Sequence, residues 1–167
     1  SDNFGEIKVR RKKMNSSRKT AIIVGVLYII GTVTGILSLV FSGPIRSAQD
    51  HLISVAANEN QLIIGALFVL SMGLALAMVP VMMFPILKKH NEAFALGYVI
   101  FRGGLEAVTY MAIVISWLLL LPLSQVYVQA GAPDASNLQA LGNLLLEADE
   151  IGSIGTIVFC LGALMFY

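Results

Sequence analysis

The feature that most constrains this chain is an uncharged apolar run from Thr20 to Ser42, TAIIVGVLYIIGTVTGILSLVFS. A transmembrane helix needs about 20 consecutive, mostly apolar residues, whereas the apolar part of a secretory signal spans only about 7 to 15. The run is too long for a signal, so it predicts a retained membrane-spanning helix. Composition agrees: 57% of the residues are hydrophobic and 13% are charged, against roughly 45–50% and about 25% in soluble domains.

Three further apolar runs follow the first, and together they predict an all-α, polytopic transmembrane helical bundle with four spans. The predicted spans cover residues 20–42, 62–87, 94–121 and 148–167, and residues 1–19 form a separate basic segment. We therefore divide the chain into this N-terminal segment and one bundle of residues 20–167. We expect the lipid bilayer to be its main partner.

Turn and capping signals predict where two of these helices begin or end. Gly43 and Pro44 follow the first apolar run and predict its end, because proline removes a backbone donor. Ser136 and Gln139 have capping-box spacing. This spacing predicts that the fourth helix begins outside the membrane, between about Ser136 and Leu141.

Basic residues are concentrated at the N-terminus and predict the orientation of the chain. Seven of the eleven Lys and Arg residues lie in the first nineteen positions: Lys8, Arg10, Arg11, Lys12, Lys13, Arg18 and Lys19. A shorter basic loop contains Lys88 and Lys89. Since cytoplasmic loops carry an excess of Lys and Arg, we expect the N-terminus and this loop in the cytoplasm. The cluster adjoins a span directly, so we expect no nucleic-acid partner.

The familiar signatures of catalysis and metal binding are missing from the sequence. Cys160 is the only cysteine, which excludes an intramolecular disulfide and a Cys-x-x-Cys redox pair. The two histidines lack the spacing of zinc or di-metal ligands, and no nucleophile elbow or phosphate-binding loop occurs. The sequence therefore predicts no metal and no cofactor, and it identifies no catalytic residue.

A charged pair inside the third span is the main candidate site. Arg102 and Glu106 lie four residues apart on one helix face, and Thr109 and Tyr110 follow one turn later on the same side. If the helix enters the membrane near Ala95, Glu106 lies roughly 16 Å deep in a core about 30 Å thick. An unpaired charge there costs about 2.5 to 3.5 kcal/mol, so we expect the two residues to pair or to face a polar cavity.

Two interpretations of this pair remain open, and a third ranks below them. In the first, Arg102, Glu106, Thr109 and Tyr110 bind or transport a small or lipid-like ligand: Arg102 neutralises an anionic group and Glu106 accepts protons. In the second, the pair neutralises itself and fixes helix packing in a structural or regulatory membrane subunit. The third is an intramembrane enzyme with Glu106 as general base.

The ligand-binding interpretation makes a prediction about neighbouring helices. Polar side chains from other spans should converge on the charged pair, for example Tyr28, Thr32 or Thr34 of the first span. The structural interpretation instead predicts a dry, filled interior around the pair.

Several segments resemble a known family. These are AIIVGVLYIIGTVTGILS, a second span broken by prolines, YVIFRGGLEAVTYMAIVISWLLLL and the ending GALMFY. Over about residues 14–167 the chain resembles a bacterial family of multi-pass membrane proteins called domain of unknown function 4386. Arg102 and Glu106 match the charged pair of that family. The resemblance implies the bacterial cytoplasmic membrane and no particular reaction. It also implies two further spans after Tyr167, or helices of other chains, as packing partners.

Overall fold

The computed structural model describes residues 2–129, 132–150 and 152–164, and it is all-α. The described residues are almost entirely helical and form no strand. The elements are α1 (Asp2–Arg46), α2 (His51–Ala57), α3 (Glu59–Leu87), α4 (Glu92–Tyr98), a π-helical segment (Val99–Leu105), α5 (Glu106–Gln129), α6 (Ala132–Glu150) and α7 (Gly152–Leu164). The predicted all-α class is confirmed.

Within the described residues, three helical stretches are long and apolar enough to cross a membrane. They are Ser17–Arg46, Glu59–Leu87 and Glu92–Gln129, and they contain the first three predicted spans. Many large apolar side chains on them point outward, such as Ile29 and Leu39. An outward apolar surface of this extent is unfavourable in water and favourable against lipid tails, so the helices indicate a membrane protein.

The structure describes only part of the predicted fourth span, residues 148–167. Residues 151 and 165–167 lie outside the described residues, and the helix between them is α7. The predicted helix before this span is confirmed, but its predicted start is wrong. The structure begins α6 at Ala132, which puts Pro133 in the first turn, where a missing N–H removes no helical bond.

The predicted end of the first helix is also wrong. α1 continues through Gly43 and Pro44 to Arg46. Ser47 N–H donates to the Gly43 carbonyl over 3.0 Å and closes the last turn. Pro44 removes only its own backbone donor, and a single missing bond close to the helix end does not stop the helix.

The apolar core lies at the end of the bundle where α2 packs against α5. Its buried members are Ile45, Leu52, Val55, Leu62, Ala66, Val69, Trp117 and Leu120. The short helix α2 contributes Leu52 and Val55, and so it anchors the connection between α1 and α3 to α5.

The α6–α7 segment runs antiparallel to the third long helix. Ser116 Oγ of α5 donates to the Leu145 carbonyl of α6 over 2.7 Å. Further along, Gly162 of α7 lies against the backbone of Arg102 in the π-helical segment. From Leu145 to Gly162 the residue number rises, whereas that of the contacted residue falls from Ser116 to Arg102, so the two segments are antiparallel. This arrangement places α7 beside the predicted site.

Candidate functional site

Arg102 lies in a π-helical segment that interrupts the third long helix. The segment runs from Val99 to Leu105 and contains the adjacent Gly103 and Gly104. Glycine is among the weakest helix formers, and single π turns within α-helices are frequent at functional sites. Regular helical spacing gave no prediction of this interruption, which changes the direction of the side chains that follow it.

Gly103 permits the close contact between this segment and α3. A Cβ atom there would lie 3.2 Å from Pro80 Cγ and 3.4 Å from the Ala77 carbonyl oxygen. A larger side chain would push α3 away. At the neighbouring Gly104, a Cβ atom would meet nothing within 4 Å. Of these two glycines, Gly103 is therefore the one that positions Arg102 against α3.

The predicted charged pair is present. Arg102 Nη1 donates to Glu106 Oε2 over 2.5 Å, and the two residues are only 6% and 5% exposed. Tyr110 Oη donates to the other carboxylate oxygen, Oε1, over 3.2 Å. Both oxygens of Glu106 thus have hydrogen-bond donors, as a buried carboxylate requires. The three side chains form a polar ladder, Arg102–Glu106–Tyr110.

Residues from three other elements enclose the guanidinium group. The Phe159 ring of α7 lies over it, with 3.9 Å from Arg102 Cζ to the ring centroid. This close approach is possible because a Cβ atom at Gly162 would lie only 3.1 Å from Arg102 Cβ. Tyr98 of α4 and Tyr28 of α1 line the same cavity as Arg102.

These residues border a cavity of about 230 Å³, here called the small cavity. Its lining includes Tyr28, Val79, Tyr98, Arg102, Phe159 and Ala163. Three polar side chains, Tyr28, Tyr98 and Arg102, therefore converge on one apolar chamber. A few polar groups in an apolar pocket are the usual composition of a small-molecule site.

A second cavity, of about 620 Å³, lies between α1, α3 and α5 and is here called the large cavity. Tyr110 lines it, together with residues such as Thr32, Met72 and Trp117. Arg102 lines the small cavity and Tyr110 the large one, so the polar ladder stands between the two.

The structure brings together only some of the predicted residues. Tyr28 reaches the site as expected, whereas Thr32 and Thr34 donate to the carbonyls of Tyr28 and Ile30 on their own helix. Thr109 donates to the Leu105 carbonyl over 3.1 Å, so its hydroxyl does not join the ladder. The role of Thr109 in ligand binding stays a prediction.

Sequence reasoning missed Tyr98 and Phe159. Tyr98 precedes Arg102 by four residues, and helical spacing alone would have placed it one turn away. Phe159 offered no such signal, because it comes from a different helix. Within the part of the chain that the structure describes, no group of three His, Cys, Asp or Glu side chains is assembled for a metal ion.

Comparison with known proteins identifies the family. The model of the family described as "Domain of unknown function (DUF4386)" matches residues 23–167. The chain belongs to this family, as its sequence motifs predicted. No curated protein and no solved structure matches the chain.

Proposed function

We infer that this membrane protein binds, and in a transport cycle carries, a small ligand that contacts Arg102 from the small cavity. The observation that supports this proposal is the convergence of Tyr28, Tyr98 and Arg102 on one chamber beside a buried ion pair. Ionisable residues within a membrane are costly, and where they occur they commonly mark substrate or ion pathways.

The chemistry of the site favours a ligand with a hydrogen-bond acceptor. Arginine has five N–H donors and no acceptor, and among the described residues Glu106 accepts from one of the Arg102 donors. A carboxylate, phosphate or carbonyl oxygen of the ligand would accept from the rest. The cavity, at about 230 Å³, is smaller than the roughly 300–1,000 Å³ of drug-sized sites. A compact ligand fits it best.

A second function is favoured by one specific observation. Both oxygens of Glu106 already have donors, and Arg102 already has a carboxylate partner. A pair that is satisfied without a ligand also suits a structural or regulatory subunit in which it only fixes the packing of α3, α5 and α7. The two candidate functions differ in what happens when the charges are removed together.

The first test compares a single with a double substitution. Glu106→Gln keeps the shape of the side chain but leaves the Arg102 charge without its counter-ion, which destabilises a buried site. Adding Arg102→Gln removes the second charge and should restore much of the stability. We would purify each variant in lipid nanodiscs and measure its melting temperature with a panel of small carboxylates, phosphates and neutral amides.

The two functions predict different results. If the site binds a ligand, some compounds will stabilise the native protein and will have no effect on the folded double variant. If the pair is structural, none of the compounds will stabilise the native protein, and the double variant will differ from it only in stability. A double variant that still responds to the same compounds would contradict ligand binding at Arg102.

The orientation and span count form part of the same proposal. We propose four spans in this chain, at about residues 20–42, 62–87, 94–121 and 148–167, with residues 1–19 in the cytoplasm of a bacterial cell. The antiparallel course of α6–α7 along the third helix supports a return through the membrane. The basic segments support the orientation.

Accessibility labelling tests this topology. Cysteines introduced at the N-terminus and at Lys88 should be protected from an impermeant reagent added to whole cells, whereas one at Asp134 should react. Cys160 would first be replaced by serine, so that the introduced thiol is the one labelled. Labelling of Lys88 and Asp134 from the same side would refute the four-span model.

A further inference from the structure

Two cavities meet at Arg46, at the opposite end of the bundle from the small cavity. One is the large cavity already described, whose lining is mostly apolar. The other has a volume of about 440 Å³ and is here called the polar cavity; Ser47, Asn143 and Glu147 are among its lining residues. Arg46 and Leu39 line both. An apolar chamber between helices thus adjoins a chamber of mixed lining that includes polar side chains, with a cation at their boundary.

The position of Arg46 along α1 corresponds to the membrane–water interface. It lies in the last turn of α1 and ends the first apolar stretch, Ser17–Arg46. Its guanidinium carbon lies 4.1 Å from the centroid of the Trp117 ring. Tryptophan and arginine are typical of the headgroup level, where lipid phosphates also lie.

The contact with Trp117 places the guanidinium group of Arg46 over the indole ring. Trp117 is buried in the apolar core, so one face of Arg46 is covered and its position is restrained. A planar guanidinium group held in this way matches the oxygen pair of a phosphate better than a lysine ammonium group would.

We propose that these joined cavities bind one phospholipid with an amine-bearing headgroup, such as phosphatidylethanolamine. An acyl chain occupies the large cavity, the phosphate accepts hydrogen bonds from Arg46, and the ammonium group lies near Glu147 and Asn143 in the polar cavity. The lining changes from apolar side chains to the cationic Arg46 and then to the anionic Glu147. The lipid has complementary groups in the same order: an acyl chain, an anionic phosphate and a cationic ammonium group. This site is separate from the proposed site at Arg102.

The test measures which lipids stay bound to the purified protein. The protein would be reconstituted in nanodiscs with equal amounts of phosphatidylethanolamine, phosphatidylglycerol and phosphatidylcholine, then released and analysed by native mass spectrometry. We expect one phosphatidylethanolamine to be retained. Arg46→Gln should lower the retained fraction about tenfold, as expected for the loss of one charge-assisted hydrogen bond.

A blocking variant with a matched control keeps the test independent of Arg46. Ile36 lines the large cavity and is 57% exposed, so Ile36→Trp fills the chamber without disturbing the core. Ile29 is on the same helix and 65% exposed, and it is not part of the lining of either cavity. Ile36→Trp should release the lipid, whereas Ile29→Trp should retain it.

Other outcomes would overturn the proposal. Equal retention in Ile36→Trp and Ile29→Trp would mean that only lipid around the bundle is carried along. Displacement of the lipid by millimolar inorganic phosphate would indicate a site for free anions. Glu147→Gln should abolish the preference for phosphatidylethanolamine over phosphatidylglycerol, and an unchanged preference would refute the placement of the ammonium group. The double variant at Arg102 and Glu106 should keep the lipid, which separates this result from the proposed function.

Discussion

Arg102 and Arg46 occupy similar local surroundings at different depths. Each guanidinium carbon lies about 4 Å from an aromatic centroid, on Phe159 and Trp117 respectively. Each side chain also lines a cavity. Arg102, however, lies within the third apolar stretch and is bonded to a carboxylate on its own helix, whereas Arg46 ends the first stretch.

The two positions correspond to two ways in which a membrane protein accommodates a charge. In the membrane core water does not solvate a cation, so a carboxylate of the same chain must be close. At the interface, water and headgroups also solvate a cation, in addition to any partner in the protein, and an aromatic ring can fix the direction of the side chain. The same residue type therefore belongs to a buried pair at one end of the bundle and to a boundary between two cavities at the other.

The largest effect is expected where the deep charge loses its counter-ion. Glu106→Leu leaves Arg102 buried without a carboxylate, which should lower the free energy of unfolding by about 3–5 kcal/mol. Combining it with Arg102→Met should recover most of this loss, because the apolar pair needs no compensation. Reversible unfolding in mixed micelles measures both. If Glu106→Leu is as stable as the native protein, Glu106 is not the counter-ion that stabilises the buried Arg102 charge.

The next largest effect concerns the packing that holds Arg102 in place. Gly103→Leu would place a side chain against Pro80 and the Ala77 carbonyl, and overpacking of this kind costs about 1–3 kcal/mol. Gly104→Leu is the matched control, because a Cβ atom there meets nothing within 4 Å. Thermal unfolding in detergent should separate the two. Equal losses would mean that the π-helical segment is not held against α3 at Gly103.

A smaller effect is expected at the interface arginine. Arg46→Gln removes the cation over Trp117, an interaction worth about 0.5–2 kcal/mol. Arg46→Lys keeps the charge but loses the planar stacking, so it should fall between the native protein and Arg46→Gln. The same unfolding assay measures both. A loss at Arg46 as large as that of Glu106→Leu would contradict this difference between the two positions.

The smallest effect is a pH dependence outside the membrane-spanning helices. His51 is buried in α2, and burial lowers its pKa below the ordinary value of about 6.5, with Asp50 opposing the shift. The unfolded chain binds the proton more readily, so stability is complete above pH of about 6.5 and declines as the pH falls below it. His51→Phe should flatten this decline in melting temperature. An identical slope in both proteins would exclude His51 as its source.

The comparison between the two arginines also shows how much of the site was predictable. Arg102 and Glu106 were found from the sequence because a charged i, i+4 pair in an apolar run is rare and costly, and Tyr110 followed from the same spacing. Arg46 was not identified as part of any site, because one arginine after a span is ordinary. Its importance depends on Trp117 and on the cavities, which form only when α1, α3 and α5 pack.

The ends of the helices show a related limit. Gly43 and Pro44 were expected to stop α1, and Ser136 was expected near the start of α6; both expectations were wrong by a few residues. Local signals describe which residues tolerate a helix end. Pro44 lies near the end of α1 and Pro133 in the first turn of α6, and a proline at either place removes too few helical bonds to fix the exact end.

The sequence by itself determined that this protein is helical, that its apolar stretches suit a membrane and that one of them contains a charged pair. These properties depend on run length, charge and a spacing of four residues, all of which are local. Only the tertiary structure decided that Phe159 covers Arg102, that Tyr28 and Tyr98 share its cavity, and that the polar ladder separates two chambers. These contacts join residues far apart in the chain, and the physical reason is that they depend on how closely glycines such as Gly103 and Gly162 let the helices approach.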